Sequence, residues 1–116
     1  MPNLPAHIAL ALRVAERVGS STLDSNIGCF LLGSTSPDVR IITRARREEY
    51  HFAPLSFESV GAGVKGLFDA HPNLLLKSIN NRPTRAFVAG YMTHLILDET
   101  WIVRIYRPFF GNPMLF

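Results

Sequence analysis

The apolar positions of this chain recur with a helical period, and no stretch alternates as a strand would. Between Ala6 and Val18 the apolar residues Ile8, Leu10, Leu12, Val14, Ala15 and Val18 share the segment with the polar Arg13, Glu16 and Arg17. Pro5 suits a helix start and Gly19 a helix end. Residues 22–32 predict a second helix, with Ser21 or Thr22 as its cap and Gly33 as its stop. The string from Ser34 to Asp38 predicts a turn, and the charge-rich segment 39–52 predicts mostly loop. A third helix is expected over 57–70, capped by Ser56. Its glycines 61, 63 and 66 weaken it or permit close packing. A short helix over 74–79 follows. The longest helix is expected over 84–106, with the string Asn80-Asn-Arg-Pro83 as its cap and Pro108 as its stop. The class is all-α, a single multi-helix domain over residues 1–116.

Composition narrows this little. Apolar residues make up 47% and charged residues 18%, which fits a packed globule. A formal charge of +3 is too small to imply a nucleic-acid partner. The lone cysteine, Cys29, excludes an intrachain disulfide. No apolar stretch reaches the roughly 20 residues of a bilayer span. Arg13, Glu16 and Arg17 follow the apolar positions 8–12 too closely for a secretory leader. The expected location is cytoplasmic. The apolar end Pro113-Met-Leu-Phe116, with Phe109 and Phe110 before it, reads as an edge facing a membrane, a second copy or a further segment. In that last case the chain is the N-terminal part of a longer domain.

Candidate chemistry centres on Gly90-Tyr-Met-Thr-His94-Leu-Ile-Leu-Asp98. Residues four apart on a helix lie about 6 Å from each other on one face. An imidazole and a carboxylate so placed are half of a metal site. The neighbours Phe87, Val88, Tyr91, Leu95, Ile96 and Trp101 are largely apolar, so Asp98 needs a counter-charge. A cation would supply one, and a hydrogen-bonded pair without metal is the plainer alternative. His7, His51 and Asp38 are further imidazole and carboxylate donors without thiolates, a set that suits Zn²⁺, Mn²⁺ or Fe²⁺. Arg44, Arg46 and Arg47 could grip a phosphate, but Glu48 and Glu49 beside them favour a solvated loop. His71, before Pro72 at a helix end, is not counted as a ligand.

Pro5-Ala-His7, Leu32-Gly-Ser-Thr-Ser-Pro-Asp38, His51-Phe52 and the His94–Asp98 series together resemble the zinc-dependent phospholipase C family, an all-α group related to the P1/S1-type nucleases. The pieces span nearly the whole chain in the family's order. The resemblance implies a compact helical bundle with a first metal held by Asp38, His51, His94 and Asp98. His7 would serve a neighbouring ion, with Asp98 bridging the two and Asp38 orienting the attacking water. It implies a phosphoric-ester hydrolase acting on a lipid or small-molecule phosphodiester. No histidine follows His94, and Glu99 is the only acid after Asp98. The full three-ion set of the family is therefore not encoded, and one or two zinc ions are expected. The alternative is a non-catalytic metal-binding structural protein of the same descent.

Overall fold

The computed structural model describes residues 2–111. Its helices are α1 (Leu4–Val18), α2 (Ser21–Ser25), α3 (Ile27–Thr35), α4 (Arg40–Thr43), α5 (Arg47–His51), α6 (Ala62–Ala70), α7 (Arg82–Trp101) and α8 (Arg107–Phe109). Short 3₁₀ turns lie at Ser36–Val39, Pro72–Leu74 and Leu76–Ser78. No strand occurs among the described residues, and no helix there is long and apolar enough to cross a membrane. The fold is a compact all-α globule. The C-terminal edge expected at Pro113, Met114, Leu115 and Phe116 lies outside the described residues.

The caps of α1 and α7 follow from local chemistry. The Asn3 side chain accepts from the Ala6 amide at 3.0 Å, and Asn81 accepts from Thr84 at 2.9 Å. Gly19 closes α1 at φ 63°. The expected second helix is instead two. Asn26 interrupts it, its side chain donating to the Thr22 carbonyl at 2.9 Å and so drawing the backbone out of the helix. Gly33, expected as a stop, lies inside α3. The 39–52 segment contains α4 and α5 rather than mostly loop. Ser56 caps nothing: α6 begins at Ala62, after Gly61 at φ 109°. Pro108 does not end the last helix outright. The backbone widens into a π-helical stretch over Ile102–Tyr106 and continues into α8. Such a widening absorbs the missing proline N–H and the clash of its ring with the preceding turn.

α7 is the central element, packed by α1, α2, α3 and α6. One core lies at its start, built from Ala11, Ala15, Leu23, Phe30 and Ala86, and a second at its end, from Ala53, Phe57 and Ile102. Between the two, α7 buries polar groups: His94, Asp98 and Glu99. The crossing of α3 over α7 is backbone on backbone. A Cβ on Gly33 would collide with the Phe87 carbonyl, and one on Gly90 with the Phe30 carbonyl. Gly90→Ala gains at most about 1 kcal/mol of helix propensity, and the steric conflict outweighs it. The expected result is a net loss of about 1–3 kcal/mol in urea unfolding. Unchanged or increased stability would show that the crossing can open without cost.

Candidate metal centre

Four elements deliver donor atoms to one buried region. His7 comes from the first turn of α1, Asp38 from the 3₁₀ turn after α3, His51 from the last residue of α5, and His94 from the middle of α7. Each histidine is 0–1% exposed, and the Asp38 side chain is 25% exposed. The Asp38 turn follows directly from α3 through Ser36 and Pro37. Phe52, just past His51, adopts φ 59°. This left-handed residue turns the chain immediately after the imidazole.

His94 Nε2 lies 3.2 Å from His51 Nε2 and 3.3 Å from Asp38 Oδ1, and the third side of the triangle, His51 Nε2 to Asp38 Oδ1, is 3.6 Å. Ligand bonds of 2.0–2.1 Å in a tetrahedral zinc site put neighbouring ligand atoms about 3.3 Å apart. The triangle is close to that size. His94 Nδ1 lies 2.7 Å from the Ser34 carbonyl, which can only accept, so this nitrogen carries the proton. In the neutral ring Nε2 is then bare and faces a carboxylate oxygen. A cation held between them would satisfy the imidazole lone pair and the carboxylate together. A backbone carbonyl fixing the far nitrogen is the usual support of a metal-binding imidazole.

Ligand atoms of His7, Asp38 and His94 also lie within 4.8 Å of one another, as in a metal-binding triad. The rings of His7 and His94 stack, with centroids 3.7 Å apart and planes 10° apart. A metal ion lies near the plane of the imidazole that binds it, so one ion does not satisfy both rings in this arrangement. Neither His7 nitrogen has a hydrogen-bond partner, nor does His51 Nδ1, although all three are buried. Orphaned buried polar atoms are costly, and together with the donor set they fit a metal centre.

Asp98 has a different partner from the one expected. Its Oδ2 meets Arg47 Nη2 at 2.5 Å, and both side chains are buried. The counter-charge required by the apolar neighbours of Asp98 is thus a guanidinium. Arg47 is correspondingly not part of a solvated loop, although Arg44 and Arg46 are exposed. Asp98 still acts electrostatically on His7 and His51, favouring protonation of each. Two residues escaped the sequence reading. One is Arg47; the need of Asp98 for a counter-charge was the available signal. The other is Glu99, fully buried, which accepts from the Gly61 and Gly63 amides at 2.8 Å each. His71 is exposed and stands edge-on to Phe52, outside the cluster.

Burial, and then the neighbouring His94, lowers the His7 pKa to about 4. Burial, and then Arg47, does the same for His51. Both rings are therefore neutral at pH 7. Burial opposes ionisation of Asp38, but the adjacent His94, with His7 and His51, holds its carboxyl below the usual range. No known protein family, curated protein or solved structure matches the chain.

The two histidines generate a pH prediction. The unfolded chain protonates each ring near pH 6.5, the folded chain only near pH 4. Their contribution to stability is therefore complete above about pH 6.5 and is lost as pH falls toward 4, at up to about 1.4 kcal/mol per pH unit for each ring. Melting in chelator should fall across this window, and His7→Phe should flatten the slope. Equal slopes for His7→Phe and the parent chain would contradict the neutral buried His7.

Proposed function

We propose that this chain is a zinc-binding domain that hydrolyses phosphate esters, in the manner of the zinc-dependent phospholipases C that its motifs resemble. The observation that carries the reading is the triangle of His51 Nε2, His94 Nε2 and Asp38 Oδ1. Its dimensions suit a tetrahedral ion with one position left for water or substrate. A zinc ion there would polarise a phosphoryl oxygen and make a water molecule acidic enough to attack near neutral pH. His51 and His94 hold the ion, with His94 oriented by the Ser34 carbonyl. Asp38, the partly exposed member, orients the attacking water.

The substrate side supports an amphipathic ester. Asp38 lines a groove of about 520 Å³ whose other walls include Leu4, Leu32, Val39, Ile41 and Ile42. Ile41 and Ile42 are 76% and 83% exposed. An apolar groove ending at a metal-ligating carboxylate suits a phosphodiester with a hydrocarbon tail. A second reading, a metal-binding structural domain without catalysis, is favoured by the Arg47–Asp98 pair, which takes a carboxylate that two-metal catalysis would use.

Protein purified without chelator is expected to hold one zinc, and His94→Ala almost none. Turnover of a chromogenic phosphodiester should be slow and should vanish in Asp38→Asn. Absence of bound metal would refute the metal centre. Zinc binding with no turnover dependent on Asp38 would decide for the structural reading.

A further inference from the structure

Arg47 and His51 are four residues apart on α5, and His94 and Asp98 are four apart on α7. Each helix thus presents an imidazole and a charged side chain on one face. The two faces meet rung against rung. The imidazoles approach at 3.2 Å between their Nε2 atoms, and the guanidinium meets the carboxylate at 2.5 Å. The imidazole rung, with Asp38, presents converging lone pairs. The charged rung already contains its cation. We infer that Arg47 competes with the bound metal for Asp98, so that the Arg47–Asp98 pair sets the affinity of the centre for divalent cations. The inference rests on the metal reading above.

Three observations carry it. First, Asp98 lies one helical turn from His94 on α7, so the carboxylate is within electrostatic reach of the donor cluster. Second, Oδ2 of Asp98 is engaged by Arg47 in a pair from which water is largely excluded, both side chains being 6% exposed or less. A metal that takes that oxygen competes with the guanidinium for it. Third, Arg47 lies one helical turn from His51 on α5, which brings its positive charge beside that ring. The same charge opposes a dication beside that ring. Other charges around the cluster are Asp38, which favours a cation, and Glu99, whose two oxygens are occupied by the Gly61 and Gly63 amides. Without metal, the pair gives Asp98 the counter-charge that burial demands. With metal, its release is a cost that lowers affinity.

The test uses the full chain with Zn²⁺ alone as the probe, titrated against a chelating dye. Arg47→Gln is expected to tighten zinc binding at least about tenfold, the scale on which outer partners of metal ligands act. In an Asp98→Asn background the same substitution should change affinity by no more than about twofold, the limit for uncoupled changes. That contrast separates release of Asp98 from mere loss of a positive charge. Unchanged or weaker binding by Arg47→Gln overturns the inference, as does a gain that persists without Asp98. An Arg47→Gln chain that folds only when zinc is added supports it, since the metal then takes over the guanidinium's role at Asp98. One that stays unfolded at saturating zinc overturns it. Failure of the parent chain to bind zinc is the separate result that removes the metal reading itself.

Discussion

The contact on which the candidate centre depends is the crossing of α3 and α7 through Gly33 and Gly90. Ser34 follows Gly33 directly, and His94 lies one turn after Gly90. The approach that the two glycines permit is therefore the approach that brings the Ser34 carbonyl to 2.7 Å from His94 Nδ1. Hydrogen bonds weaken steeply with distance and angle. A displacement by the width of a methyl group would release the imidazole from its carbonyl. It would also move Asp38, which the short turn after α3 carries along. Packing and chemistry are here one constraint, and the missing side chains matter more than any that are present.

A second constraint fixes the opposite wall. Asp98 and Glu99 are adjacent in sequence, both buried, and satisfied in different ways. Asp98 takes a side-chain cation from α5. Glu99 takes two backbone amides at the start of α6, where no local side chain caps the helix. A carboxylate at a helix N-terminus satisfies orphan donors and the helix dipole together. From α7 it performs what a local cap residue performs in other helices. α6 is then pressed against the His51–Phe52 turn, since a Cβ on Gly66 would strike the Phe52 carbonyl. The turn holding His51 is thus braced by α6, and α6 is anchored by Glu99. Two consecutive acids on one helix secure the two short elements on either side of it.

This explains what was legible in the sequence. The all-α class, the ends of α1 and the start of α7 are written in local signals such as Pro5, Gly19 and the string from Asn80 to Pro83. The His94–Asp98 spacing was readable because both residues fall on one helix, where period fixes geometry. The meeting of His7, Asp38 and His51 with His94 has no such local code. It came from motif resemblance, and the structure brings these four side chains into one buried region. The failures share a cause, which is tertiary override. Gly33 reads as a stop when its neighbours alone are considered, and becomes a crossing point once α7 is present. Ser56 reads as a cap, and Glu99 displaces it from another part of the chain. Arg47 reads as surface because Glu48 and Glu49 adjoin it, while its actual partner is 51 residues away.

His7 carries the argument one step further. It is almost fully buried, stacked on His94, and both of its nitrogens lack a partner. A phenylalanine would fill a similar space without the penalty of two desolvated polar atoms, on the order of 1–3 kcal/mol each. Stacking alone therefore does not account for an imidazole at this position. Nor does a charged role, since burial and His94 keep the ring neutral well below pH 7. What distinguishes a neutral imidazole from a benzene ring is an in-plane lone pair. That lone pair lies within 4.8 Å of donor atoms on Asp38 and His94, in a plane offset from the one His94 uses. A cation beside Asp38 would convert the orphaned nitrogen into a ligand and remove the penalty. The same cation would compete with Arg47 for Asp98 Oδ2 to gain a second carboxylate. The energetic defect at His7 favours a cation beside Asp38, and the ion pair at Asp98 opposes its recruiting a second carboxylate.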